Sequence, residues 1–249
     1  MHTHTCKHTL CAVLWRFDDQ EQAVAWDSLG NQKAVLRAPA EKVWIPDASN
    51  TSSTSHAFPA SSWPRGVLRC DGMQGYAEAP YLVHTTQQTR ALWINTNNTN
   101  QIASLITLTS QEGDLHVSDF RLVNGLLQLH IYSGTDLTVI STQQGELQLQ
   151  PNTWTHVAAV LDGPTATLFV NGTQAADGEL PDNLAVNVDT LSICRRYPQY
   201  AEALSQGFPA LNFQGDVNDV YFTPRALEPA QIQDIGQHAI ACVCVYVWM

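Results

Sequence analysis

Between Trp154 and Gly172 the chain reads WTHVAAVLDGPTATLFVNG, two apolar runs joined by Asp-Gly-Pro-Thr and closed by Asn-Gly. Successive residues of a strand point to opposite faces, so Ala158 and Val160 fall on one side of the first run and Val157, Ala159 and Leu161 on the other. A strand apolar on both sides is one that is covered on both faces. Past the turn, Ala166, Leu168 and Val170 share the inner face of a second strand that ends at Asn171-Gly172. This hairpin reads as packing rather than chemistry, and it commits the chain to layers of sheet.

The rest of the sequence agrees. RALWIN alternates Ala91, Trp93 and Asn95 with Leu92 and Ile94; LHVSDFRLV and LLQLHIY flank the hairpin signal Asn124-Gly125, with Leu127, Leu129 and Ile131 opposite Gln128 and His130. The surface must be built from Thr, Asn, Gln and Ser, because 44% of residues are hydrophobic and only 14% charged, which favours strands and turns over exposed helices. Near the end, LEPAQIQDI places Pro229 ahead of Ile232 and Ile235 and predicts one or two helical turns. Residues 38–66, rich in Pro, Ser, Thr and Ala, read as one long surface excursion.

Charge and motifs exclude several functions. With 12 basic and 23 acidic residues the formal charge is −11, and no basic run supplies the positive footprint that nucleic-acid binding needs. There is no GxSxG, no HExxH and no glycine-rich phosphate loop. Cysteines at 6, 11, 70, 194, 242 and 244 lack zinc spacing; their even number permits disulfides and would also suit a reduced protein. Residues 1–12, with His2, His4 and His8, read as a tail without an evident signal peptide. Residues 237–249, ending in CVCVYVWM, form an apolar tail or last strand too short to cross a bilayer as a helix.

Taken with these motifs, LWRFDDQEQAVAWDSLGN, VLRCDGMQGYAEAP, WTHVAAVLDGPTATLFVNG, LSICRR and GDVNDVYFTPRALEPAQI resemble the laminin-G-like branch of the concanavalin A-like lectin and glucanase superfamily over residues 13–236. The resemblance implies one all-β domain: a jelly-roll sandwich of two antiparallel sheets with one short C-terminal helix. Three positions depart from the family pattern: Cys70 stands where Phe is common, Cys194 where Gly is common and Asn218 where Asp is usual.

Several sites are expected from these readings. Calcium would take oxygen ligands from Asp27, Asn31, Asp219 and the backbone carbonyls near Gly30, with Asp71 as a neighbour; the loss of a carboxylate at Asn218 lowers the ligand charge. The alternative is that Asp27 and Asn31 only bond their own turn. Rings for a glycan are Trp44, Trp63, Tyr76, Tyr81, Tyr197 and Tyr200, each of which could instead plug a loop. Trp154 is expected at the core edge, and His156 as a satisfied or surface histidine. A glycosidase needs two carboxylates across the scissile bond; Glu112 and Asp114 are separated by a turn-forming Gly113 and do not supply them. The expectation is therefore a non-catalytic recognition or adhesion module, extracellular or at the cell surface, binding a glycan or an extracellular protein through its rim loops. A scaffolding domain and a divergent glycoside hydrolase are the alternatives.

Overall fold

The computed structural model describes residues 13–17, 23–26, 33–37, 40–45, 65–110, 116–133, 136–143, 149–182, 184, 187–195 and 211–237. Sixteen strands are numbered in chain order. The first half comprises β1 (Val13–Trp15), β2 (Val24–Trp26), β3 (Lys33–Arg37), β4 (Glu41–Ile45), β5 (Arg65–Asp71), β6 (Tyr76–His84), β7 (Gln88–Asn95) and β8 (Ile102–Thr109). The second comprises β9 (His116–Val123), β10 (Leu126–Ser133), β11 (Asp136–Ser141), β12 (Thr155–Asp162), β13 (Thr165–Val170), β14 (Thr173–Glu179), β15 (Asn187–Ile193) and β16 (Gln214–Thr223). A helix, α1, follows at Pro229–Gln237. No helix among the described residues is long and apolar enough to cross a membrane.

The strands form two eight-stranded antiparallel sheets, the expected jelly-roll sandwich. Sheet A runs β14, β13, β12, β7, β16, β5, β4, with β1 also paired to β16; sheet B runs β11, β10, β9, β8, β15, β6, β3, β2. Between them lies the main core, to which β12 gives Val157, Ala159 and Leu161, β13 gives Ala166, Leu168 and Val170, and β10 gives Leu127, Leu129 and Ile131. Ala158 and Val160, on the other side of β12, pack in a second cluster with Phe169, Tyr221, Ile232 and Ile235. Helix α1 is thus the cover that the apolar outer face of β12 requires.

Turns are set where the sequence places them. Asn124 and Gly125 (φ 52° and 81°), and again Asn171 and Gly172 (φ 50° and 76°), have the paired positive φ of hairpin turns whose twist matches the strands. The start of α1 is closed by the Glu228 backbone N–H, which donates to the Gln231 side chain at 2.9 Å, half of a capping box.

A disulfide joins Cys70 of β5 to Cys194, just past β15, and so ties sheet A to sheet B across a sequence separation of 124. Cys194 adopts φ 69°, a left-handed conformation that suits glycine and is uncommon for cysteine. The two departures from the family pattern are thereby one feature.

Two expectations need correction. The excursion at 38–66 is not loop throughout: its Glu41–Ile45 portion pairs antiparallel with β5 from Arg65 to Arg69, adding the last strand of sheet A. His156 is neither satisfied nor at the surface. It is 1% exposed, and its two ring nitrogens have no hydrogen-bond partner among the described residues, with Gly236 of α1 lying over the ring. The sequence signals for that cover lay some seventy residues away, beyond the reach of local pattern.

Candidate functional site

Period 2 sends one set of side chains from sheet B into the core and leaves the other on its outer face, and that outer set is polar. One register row crosses all eight strands: Val139, His130, Asp119, Thr107, Ser192, Glu78, Val35 and Val24. Beside it runs Ser141, Gln128, Arg121 and Ser104. Five adjacent strands thus carry His130, Asp119, Thr107, Ser192 and Glu78 side by side, the first four buried and Glu78 half-buried.

These groups are bonded into a directed chain. Asp119 is fully buried; its Oδ2 accepts from Ser104 Oγ at 2.9 Å and lies 3.1 Å from Arg121 Nη2, while its Oδ1 accepts from Thr107 Oγ1 at 3.4 Å. Arg121 Nη1 can only donate, so at 3.4 Å His130 Nδ1 accepts and the ring proton sits on Nε2, which donates to Gln128 Oε1 at 2.9 Å. Gln128 Nε2 donates in turn to Ser141 Oγ at 3.3 Å. Ser192 Oγ, in the middle of the row, is buried without a hydrogen-bond partner among the described residues.

The two carboxylates of the row, Asp119 on β9 and Glu78 on β6, are separated by β8 and β15. Three strand spacings amount to roughly 14 Å, against about 5 to 9.5 Å for a glycosidase pair, and Asp119 is held in place by its donors. Among the described residues this face presents no such pair. Glu112 and Asp114 lie outside the described residues.

At the margins the face becomes apolar and aromatic. Trp26, on β2, is 51% exposed with the Lys33 ammonium 5.8 Å from its ring centroid. At the opposite margin Leu137 and Val139 of β11 are about half exposed, paired across to Tyr132 and His130. Tyr76 is half-buried with the Arg195 guanidinium 4.1 Å over its ring, and Arg37 stands directly opposite it in register. The left-handed Cys194 turns the chain so that the Arg195 carbonyl receives Thr107 Oγ1 at 2.9 Å on this same face.

The other expected residues are dispersed. Trp44 lies in β4 opposite Gly66, and Tyr81 in β6. Trp63, Tyr197, Tyr200, Asp27, Gly30, Asn31 and the cysteines at 6, 11, 242 and 244 lie outside the described residues. Asp219 is 7% exposed at an irregularity of β16, with φ 44° and its N–H bonded to Asn218 Oδ1 at 2.6 Å. The described residues contain no cluster of three or more His, Cys, Asp or Glu suited to a metal. Asp71 serves its own turn: Oδ1 accepts from the backbone of Met73, Gln74 and Gly75 at 2.9, 3.0 and 2.8 Å. Burial pushes its carboxyl up, but these bonds outweigh it and hold the group below the usual range. Trp154 is half-buried, at the edge as expected.

Two buried cationic or basic groups sit elsewhere. His156, Trp93 and Asn218 form a row on the outer face of sheet A, with Gly236 of α1 over His156 and the Trp93 and His156 rings 5.4 Å apart. Burial pushes the His156 pKa down from 6.5 to about 4. Inside the sandwich, Arg90 donates to Ser118 Oγ at 2.6 Å and Gln88 Oε1 at 3.1 Å, leaving Nε and Nη1 without partners among the described residues. Burial brings its pKa down to about 9, with the Asp119 charge acting the other way.

Trp26 was missed by sequence reading. It stands beside the AWDSLGN turn signal, and its place on the last strand of sheet B leaves the side chain half exposed.

Residues 71–233 match the sequence profile of Laminin_G_3, described as the concanavalin A-like lectin/glucanases superfamily. No curated protein matches the chain in sequence. Among solved structures, domain 4 of AbnA, a GH43 extracellular arabinanase from Geobacillus stearothermophilus in complex with arabinotriose, is 17% identical with TM-score 0.59, covering 90% of this chain and 97% of that one. The binding domain of Paraclostridial Mosquitocidal Protein 1 (12% identical, TM-score 0.61) and the receptor-binding domain of botulinum neurotoxin type G (10%, TM-score 0.60) each cover 90% of this chain. The chain spans about half the length of those two, 51% and 50%. At these identities the likeness is one of fold.

Proposed function

This chain belongs to the concanavalin A-like lectin/glucanases superfamily, and from that premise we propose that it is a non-catalytic recognition module that binds carbohydrate outside the cytoplasm. The observation that carries this reading is Trp26, a half-exposed indole on the polar face of sheet B. A sugar needs a flat apolar ring for its C–H face and oriented hydroxyl, amide and carboxylate groups for its hydroxyls. Trp26 supplies the first; Glu78, Lys33 and Gln128 lie on the face that supplies the second.

Support comes from three sides. Domain 4 of the arabinanase shares the fold and was solved with arabinotriose. The wide separation of Asp119 and Glu78 favours binding over hydrolysis. A buried inter-sheet disulfide suits an oxidising, extracellular setting. Of the rings expected from the sequence, Tyr76 of β6 lies on this face, and Trp63, Tyr197 and Tyr200 would extend the surface at the rim; Trp44 belongs to β4 of sheet A and Tyr81 to β6. Calcium at Asp27, Gly30, Asn31 and Asp219 would staple the first turn to the last strand; a melting temperature raised by calcium and lowered by chelator checks it, and no change in a metal-stripped sample counts against it.

A glycan array probed with the wild type and Trp26→Ala tests the main reading. Binding should be lost on substitution by about tenfold or more, with no release of reducing sugar from any bound glycan. Equal binding by both proteins, or turnover, refutes it. A second reading, docking of a protein partner, is favoured by Leu137 and Val139, neighbouring half-exposed side chains on β11, the terminal strand of sheet B.

A further inference from the structure

We propose that the saccharide taken by this face is anionic, its oxyanion held between Arg37 and Arg195 on either side of Tyr76; this rests on the carbohydrate reading above. The chain as a whole is strongly acidic, with 23 acidic residues against 12 basic. Its charge is not spread evenly. The regular outer rows of sheet B carry Lys33, Arg37 and Arg121, joined by Arg195, against only Asp119 and Glu78 among the described residues. Asp119 is already paired with Arg121 at 3.1 Å. Around Tyr76, then, two arginines and the single carboxylate of Glu78 share one face of an acidic protein.

Arg37 and Tyr76 are register partners, and Arg195 lies 4.1 Å over the same ring. Neither arginine has a carboxylate partner among the described residues, unlike Arg69, which takes Asp216 in a two-pronged bond at 2.9 and 3.1 Å. A guanidinium held over an aromatic ring still carries N–H donors for the planar, bidentate grip that carboxylates and sulfates accept. Arg195 is also held beforehand: the Cys194 disulfide fixes the preceding residue and Thr107 bonds the Arg195 carbonyl at 2.9 Å, so little backbone freedom is left to lose on binding.

Lys33 and Trp26 occupy the other end of the same patch. Lys33 and Arg37 are four residues apart on one strand, roughly 13 Å, a separation suited to an oligosaccharide rather than a single sugar. Glu78, between them, accepts from neutral hydroxyls.

The test is titration of the intact protein with a galacturonate hexamer, a heparin-derived hexasaccharide and a neutral galactose hexamer. At least one anionic probe should bind about tenfold more tightly than the neutral one, and its affinity should fall severalfold between about 50 and about 300 mM salt. The double variant Arg37→Met/Arg195→Met should lose that preference; Arg37→Met alone, at an exposed site, serves should the double variant fold poorly. Binding of galacturonate assigns the grip to a carboxylate, binding of heparin alone to a sulfate, and either supports the proposal. Neutral and anionic probes bound equally, without salt dependence, refute the anionic assignment and leave the carbohydrate reading standing. If no saccharide binds here or on the array, both fall together.

Discussion

Gly236 of α1 lies so close over His156 of β12 that a Cβ at position 236 would meet the ring Nδ1 at 2.8 Å and Cγ at 3.1 Å. In an ordinary helix Gly→Ala gains about 1 kcal/mol. Here the ring is buried among packed neighbours and cannot yield cheaply, so Gly236→Ala should destabilise the domain by about 1 to 3 kcal/mol. Urea denaturation of the two proteins checks this; a gain in stability would mean that α1 is free to ride up.

His156 should make stability pH-dependent. Its folded pKa is about 4, below the 6.5 of the free side chain, because burial disfavours the imidazolium. Between those values the unfolded state binds more protons, so stability is complete above about pH 6.5, falls as pH drops toward 4 and then levels. The full span is on the order of 3 kcal/mol. His156→Leu should flatten that part of the profile, as read from urea midpoints at pH 4, 5, 6 and 7; an unchanged slope would place the titration elsewhere.

Arg90 is a charge inside a sandwich core with two of its nitrogens unbonded. Replacing such a group with an apolar one of similar length is often neutral or stabilising by about 1 to 4 kcal/mol, whereas stripping its partner leaves the charge worse off. Arg90→Met should therefore hold or raise the melting temperature, while Ser118→Ala, which removes the 2.6 Å bond, should cost about 1 to 3 kcal/mol. The opposite order of the two variants would contradict this account of the site.

The Cys70 to Cys194 bridge closes a long loop and should contribute about 4 to 5 kcal/mol on the chain-entropy account. Both residues are buried, 2% and 0% exposed, so alkylation after mild reductant should track global unfolding. Cys70→Ala/Cys194→Ala should melt well below the wild type, and alkylation located by peptide mapping at Cys70 and Cys194 in unreduced, denatured protein would remove the bridge altogether.

What local pattern encodes was legible. The two-sided apolarity of β12, the inner faces of β10 and β13, the Asn-Gly turns and α1 all follow from spacing within a few residues. What depends on distant partners was not. Strand β4 sits in a Pro- and Ser-rich stretch and becomes a strand because β5 offers it an edge. Pairing of Cys70 with Cys194 spans 124 positions, and an even cysteine count names no partners. Trp26 and the Arg37, Tyr76 and Arg195 cluster share a face only through the order of β2, β3, β6 and β15 in sheet B. The expected metal set was legible only as residue types, and of it only Asp219 falls among the described residues.

Cys194 is also tied energetically to what stands at position 70. A side chain at φ 69° carries a penalty of roughly 1 to 2 kcal/mol that glycine avoids, and nothing offsets it until position 70 supplies a second sulfur. Placed alone in a chain with Phe at 70 and Gly at 194, cysteine at 194 would be a net loss and cysteine at 70 would exchange a bulky core side chain for a small one. Each substitution would destabilise alone and the two together would stabilise, so their energies are coupled rather than additive.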